Sequence, residues 1–117
     1  MLAGKGSLQE KRTTKEKIMV RVTVLYGHPQ NPDPFKEHCA NTHTPLVQKI
    51  PNLQRFDRSK VIATPDGSEL RYYRVADMWF ESMEQMQSSL GSPEGQEATQ
   101  DIQKIATGGV TILISED

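Results

Sequence analysis

Along residues 19–117 the apolar side chains switch between strand-like alternation and helical spacing in one fixed order. That order restricts the fold more than any other feature of the sequence. Met19 to Tyr26 sets Val20, Val22 and Val24 against Arg21, Thr23 and Leu25, the alternation of a strand. Gly27 to Asp33 holds Gly27, Pro29 and Pro32 and reads as a loop. Asp33 then supplies an N-cap and Pro34 suits the first helical position. From there Phe35, Cys39, Thr42, Leu46 and Ile50 fall on one stripe, which predicts a helix to about Lys49, stopped by Pro51-Asn52.

Leu53 to Ala63 is predicted as a second strand, with Phe56 and Ile62 on one side and Arg55, Asp57 and Ser59 on the other. So polar a strand belongs at a sheet edge. Pro65-Asp66-Gly67 forms a turn. A third strand, Arg71 to Phe80, places Ala76, Met78 and Phe80 on one face and Tyr73, Val75, Asp77 and Trp79 on the other. Ser82 with Gln85 makes a capping box for a short helix whose Met83, Met86 and Leu90 should face inward. Gly91 closes that helix. Ser92-Pro93-Glu94 opens another, with Ala98, Ile102 and Ile105 as its stripe, and Gly108-Gly109 ends it. Val110 to Ser115 is the last strand.

The order is thus β-α-β-β-α-β, the ferredoxin-like pattern: an α+β domain with a four-stranded antiparallel sheet, the first and third strands central. One layer of helices covers one sheet face only. Val75 and Trp79 lie on the other, so the sequence predicts a homodimer joined through that face.

Composition bounds the partners. No apolar run approaches the ~20 residues of a membrane span, and no secretory signal is expected. Residues 1–18 carry five basic and two acidic side chains; the rest of the chain carries nine and thirteen. An acidic domain argues against nucleic acid. Residues 1–18 are expected to be a disordered leader or upstream extension, with the domain starting at Met19. The lone cysteine, Cys39, excludes an internal disulfide and cysteine-rich metal sites and points to a cytoplasmic setting.

His43 is the residue most suggestive of chemistry. It stands in Thr42-His43-Thr44-Pro45-Leu46, where Pro45 must kink or unwind the helix. A histidine placed there can act as general acid or base near neutral pH; it can equally pack at a helix end and bond a loop carbonyl. His38 lies five residues earlier, about 140° away on a regular helix, so the two do not form a metal pair. No metal is expected. His28 sits in the loop after the first strand. Cys39 can pair with His43 or remain a buried, inert thiol. Tyr26, Tyr73 and Trp79 can line a pocket for an organic ligand, or simply pack. Asp77, in a central strand, needs a partner, for which Arg74, Arg58 or a second subunit is available. No phosphate loop, nucleotide fingerprint or nucleophile elbow is present.

The runs Val24-Leu25-Tyr26-Gly27, Pro32-Asp33-Pro34-Phe35, Thr42-His43-Thr44-Pro45-Leu46 and Lys49-Ile50-Pro51-Asn52-Leu53 together resemble the EthD family. Tyr73-Arg74, Trp79-Phe80, Ser92-Pro93-Glu94-Gly95-Gln96 and Ala106-Thr107-Gly108-Gly109-Val110-Thr111 extend the resemblance over residues 19–117. It implies a dimeric α+β barrel and a link to ethyl tert-butyl ether degradation. Relatives of that architecture include small monooxygenases and isomerases, many working without metal or nucleotide. His43 matches the family's H-x-P-L histidine. The tyrosine pair common just before it is replaced here by His38-Cys39. The resulting expectation is a cofactor-free enzyme of oxidoreductase or isomerase type, with His43 as acid/base. Its substrate would be a small, apolar, oxygenated compound, held by Tyr26, His28, Cys39, Tyr73, Asp77 and Trp79. The alternative is a non-catalytic binding or accessory protein of a catabolic pathway.

Overall fold

The computed structural model describes residues 19–117; the expected leader, residues 1–18, lies outside the described residues. The chain runs β1 (Val20–Tyr26), α1 (Pro32–His38), a π-helical turn (Cys39–His43), α2 (Thr44–Gln48), β2 (Arg55–Lys60), β3 (Arg74–Phe80), α3 (Met83–Gly91), α4 (Pro93–Ile105) and β4 (Val110–Glu116). All four strands pair antiparallel in the order β2-β3-β1-β4, the ferredoxin-like α+β arrangement. Polar β2 is indeed an edge strand.

Alternation decides which side of the sheet is buried. Val20, Val22, Val24 and Tyr26 of β1 and Ala76, Met78 and Phe80 of β3 are all buried, on the side covered by the helices. Phe35, Cys39, Val47, Ile50, Met86, Ala98, Ile102 and Ile105 meet them there. Ser82 and Ser92 cap α3 and α4 by accepting from the amides of Gln85 and Gly95. Their hydroxyls satisfy amides that the first turn of each helix leaves without partners. The two helices therefore break at Ser92, beside the predicted Gly91. At the far end of the sheet Gly27 and Gly108 touch backbone to backbone, because a Cβ on Gly27 would run into the Gly108 carbonyl. The Gly27 amide donates to the Gly109 carbonyl at 2.9 Å. This contact ties the end of β1, and with it Tyr26, to the start of β4.

Several sequence expectations are corrected. The first helix begins at Pro32, with Asn31 rather than Asp33 as N-cap and no side-chain cap bond. Strands β2 and β3 are shorter than predicted, and Ile62, outside β2, is 83% exposed. Met83 is exposed instead of facing inward; it lies in the first turn of α3, beyond the sheet's cover.

The opposite sheet face has no helix over it. Strand register lines up three rows across it: Thr111, Leu25, Val75 and Ser59; Leu113, Thr23, Asp77 and Asp57; Ser115, Arg21, Trp79 and Arg55. Leu113 is 53% exposed. Ile112 and Ile114, on the helix side of edge strand β4, are also exposed.

Candidate functional site

Pro45 shapes the site before any titratable group enters it. It has no amide hydrogen, and its ring crowds the preceding turn of a regular helix. The chain answers by widening that turn: the Thr44 amide bonds the Cys39 carbonyl, five residues back, so Cys39–His43 is π-helical. The expected kink is thus a wide turn ending on His43. Its extra residue per turn brings His38 and His43 to one side, which corrects the wide separation that regular helical spacing predicts.

Both histidines reach the same carboxylate. His43 Nδ1 lies 2.8 Å from Asp101 Oδ2, and His38 Nε2 lies 2.8 and 2.9 Å from Asp101 Oδ1 and Oδ2. Asp101 and His43 are buried, whereas the His38 side chain is about one-third exposed. Sequence reasoning missed Asp101. The signal was present: Asp101 falls on the apolar stripe of α4, three residues after Ala98 and four before Ile105. A carboxylate at such a position must find donors inside the protein.

The electrostatics favour a neutral His43. Burial lowers its pKa below the ordinary histidine value, with the Asp101 hydrogen bond opposing that shift. A carboxylate can only accept, so the His43 Nδ1–H donates to Asp101 and Nε2 keeps its lone pair. This is the tautomer a general base requires.

His43 lines a narrow cavity between helices and sheet, together with Tyr26, Val24, Phe56, Met78 and Thr99. Its volume, about 10 Å³, admits roughly one water. Tyr26 is 2% exposed, and its hydroxyl has no hydrogen-bond partner among the described residues. Burial pushes its pKa up, so it remains a protonated donor. Phe56 and Leu90, both half-buried, and the adaptable thioether of Met78 are the lining groups best able to yield to a larger occupant.

The remaining candidates divide between the two sheet faces. Cys39 is buried, and burial raises its pKa, which keeps it a thiol. Tyr73 was predicted on the uncovered face. Instead it lies just outside β3 and packs edge-on against Phe35 at 5.6 Å, while Phe35 packs against Tyr26 at 5.3 Å. His28 extends this aromatic chain, 5.9 Å from Tyr73, and its Nε2 lies 2.7 Å from the Leu70 carbonyl. It does not line the cavity. Asp77 and Trp79 stand on the uncovered face. Asp77 accepts from Thr23 Oγ1 at 2.5 Å and has Arg21 at 3.9 Å, so its partners come from β1 and not from Arg74 or Arg58. Trp79 lies between the guanidinium groups of Arg21 and Arg55, at 5.8 and 5.0 Å from the ring. Among the described residues no group of three or more His, Cys, Asp or Glu is arranged to hold a metal ion, and no helix is long and apolar enough to cross a membrane.

Comparison with known proteins gives consistent matches. The model of the EthD domain matches residues 28–109. An uncharacterized 11.0 kDa protein from the thcB–thcC intergenic region of Rhodococcus erythropolis is 41% identical over 99 residues, 85% of this chain and 95% of that one. The crystal structure of an ethyl tert-butyl ether D (EthD) family protein from Bacillus halodurans is 32% identical. Its TM-score is 0.79, with 85% of this chain and 98% of that chain covered. The hydroxynitrile lyase of Passiflora edulis shares the fold, with a TM-score of 0.69 at 11% identity, covering 86% of this chain and 94% of the lyase.

Proposed function

The chain belongs to the EthD family, and from that premise we propose that it performs acid–base chemistry on a small, apolar, oxygenated organic compound. His43 Nε2 takes a proton from the compound, and Asp101 stabilises the imidazolium that results. The Tyr26 hydroxyl donates a hydrogen bond to the compound's oxygen. The observation that carries this reading is the buried 2.8 Å contact between His43 Nδ1 and Asp101 Oδ2, set beside the unpartnered Tyr26 hydroxyl in one cavity. An acid–base pair held by a carboxylate out of water suits proton transfer in an isomerisation, a lyase step or a cofactor-free oxidation. A role in organic-compound degradation fits the family.

The partner assigned to the uncovered sheet face is a second copy of the chain, which would close a barrel over Asp77 and Trp79. The single buried thiol of Cys39 supports a reducing, cytoplasmic setting.

The test is native mass spectrometry and absorbance of the purified protein for a retained compound, followed by turnover of that compound. His43→Ala is expected to keep the compound and abolish its conversion. Retention without conversion by the wild type would make this a binding or accessory protein. Unchanged retention and conversion in the variant would overturn the role of His43.

A further inference from the structure

Asp101 is 4% exposed on the apolar stripe of α4, so its lone pairs must be met by protein donors. His43 meets one oxygen. His38 Nε2 meets both, at 2.8 and 2.9 Å, and so straddles the carboxylate. The terminal torsion of an aspartate is broad and roughly two-fold. A donor centred between the two oxygens holds that plane; the His43 bond to Oδ2 alone would let it swing. His38 can reach this position because the π turn places it on the side of His43. It also lines a surface cleft of about 220 Å³ with Phe35, Lys104 and Thr107. It therefore stands between solvent and the buried carboxylate.

We propose that His38 is a positioning residue: through Asp101 it fixes His43 in the tautomer protonated at Nδ1 and free at Nε2. With His38 donating, the Asp101 carboxylate is held with Oδ2 toward His43 and accepts from Nδ1–H. Without that donor the carboxylate plane turns and the Nδ1–H bond is no longer held. The ring proton then leaves Nδ1 to solvent while another is taken up at Nε2, where it occupies the lone pair a base needs. This inference rests on the reading of His43 as the base. Its test reads ring protonation, so failure of the proposed function shows in conversion and failure of this proposal shows in the tautomer.

The experiment is ¹⁵N NMR of the imidazole nitrogens in the full chain at neutral pH, with His43 assigned by the signals lost in His43→Asn. Wild type, His38→Gln and His38→Phe are compared. Glutamine keeps a donor near the position of His38 Nε2; phenylalanine keeps a ring and removes the donor. Wild type and the glutamine variant are expected to show His43 protonated at Nδ1 only. The phenylalanine variant should shift His43 toward the Nε2–H form. Wild-type ring shifts at His43 in the folded phenylalanine variant would overturn the proposal. Should that variant not fold, the wild type decides alone: the proposal stands if His38 Nε2 carries a proton and falls if it does not, because it then has nothing to donate to Asp101.

Discussion

His43 and Asp101, fifty-eight residues apart in the chain, meet at 2.8 Å with both side chains withdrawn from water. Removing the carboxylate leaves the His43 Nδ1–H without a partner in the core. Asp101→Ala is expected to cost about 1–3 kcal/mol, the usual penalty for orphaning a buried donor. The same change removes the interaction that holds the His43 pKa up against burial, so that pKa should fall further. Urea unfolding and an NMR titration of His43 measure the two effects. A cost below ~0.5 kcal/mol, within the ordinary range of surface changes, would show that the contact does not hold the core together.

The neutral state of His43 gives stability a defined pH dependence. Its folded-state pKa lies below the unfolded value of about 6.5. Between those two values the unfolded chain binds the proton and the folded chain does not, so acid favours unfolding. The contribution is complete above the unfolded pKa and is lost as pH falls toward the folded one. The slope from this one group cannot exceed about 1.4 kcal/mol per pH unit. Denaturation midpoints taken from neutral to mildly acidic pH should show the loss in wild type, with a shallower dependence in His43→Asn. Equal slopes in the two proteins would place the pH sensitivity elsewhere.

Tyr26 separates stability from function. Its buried hydroxyl has no partner among the described residues, and such a group carries its desolvation cost uncompensated. Tyr26→Phe keeps the ring against Phe35 and is expected to leave stability unchanged or raise it by up to about 1 kcal/mol. Retention of the bound compound should fall. Thermal unfolding and native mass spectrometry read the two arms, and a marked loss of stability would reveal a structural bond for that hydroxyl.

Most of the architecture was legible in the sequence because each element carries its own local signal. The alternation of Val20, Val22 and Val24, the Ser82 and Ser92 caps and the Gly108-Gly109 stop all depend on near neighbours in the chain. The site was legible only in part. His43 stood out because Pro45 breaks a local rule beside it. The convergence of His38 and His43 was hidden, since counting residues on a regular helix cannot anticipate a π turn. Asp101 was hidden for a different reason: among the residues of α4 it reads as one more charge on an amphipathic helix, and only its place on the apolar stripe sets it apart. Tyr73 misled because strand parity was extended past Arg74, where β3 begins and the parity ends.

No described helix lies over the sheet face that carries Asp77 and Trp79. Leu113 is the cross-strand partner of Thr23, which pairs in turn with Asp77, so a leucine more than half exposed stands in line with the polar centre of that face. Leu25 and Val75 pair in the adjacent row. Nothing within the described chain covers them, whereas a second copy laid face to face would remove all of them from water. The wild type is therefore expected to sediment as a dimer at micromolar concentration. Leu113→Arg places a charge where the two sheets would meet and should shift the equilibrium to monomer. The helix-side core lies on the other face and is untouched, so the far-ultraviolet circular dichroism should not change. A wild-type monomer under these conditions would exclude the paired sheets. A dimer that persists in the variant would move the interface to another surface, with the exposed edge of β4, carrying Ile112 and Ile114, the next to examine.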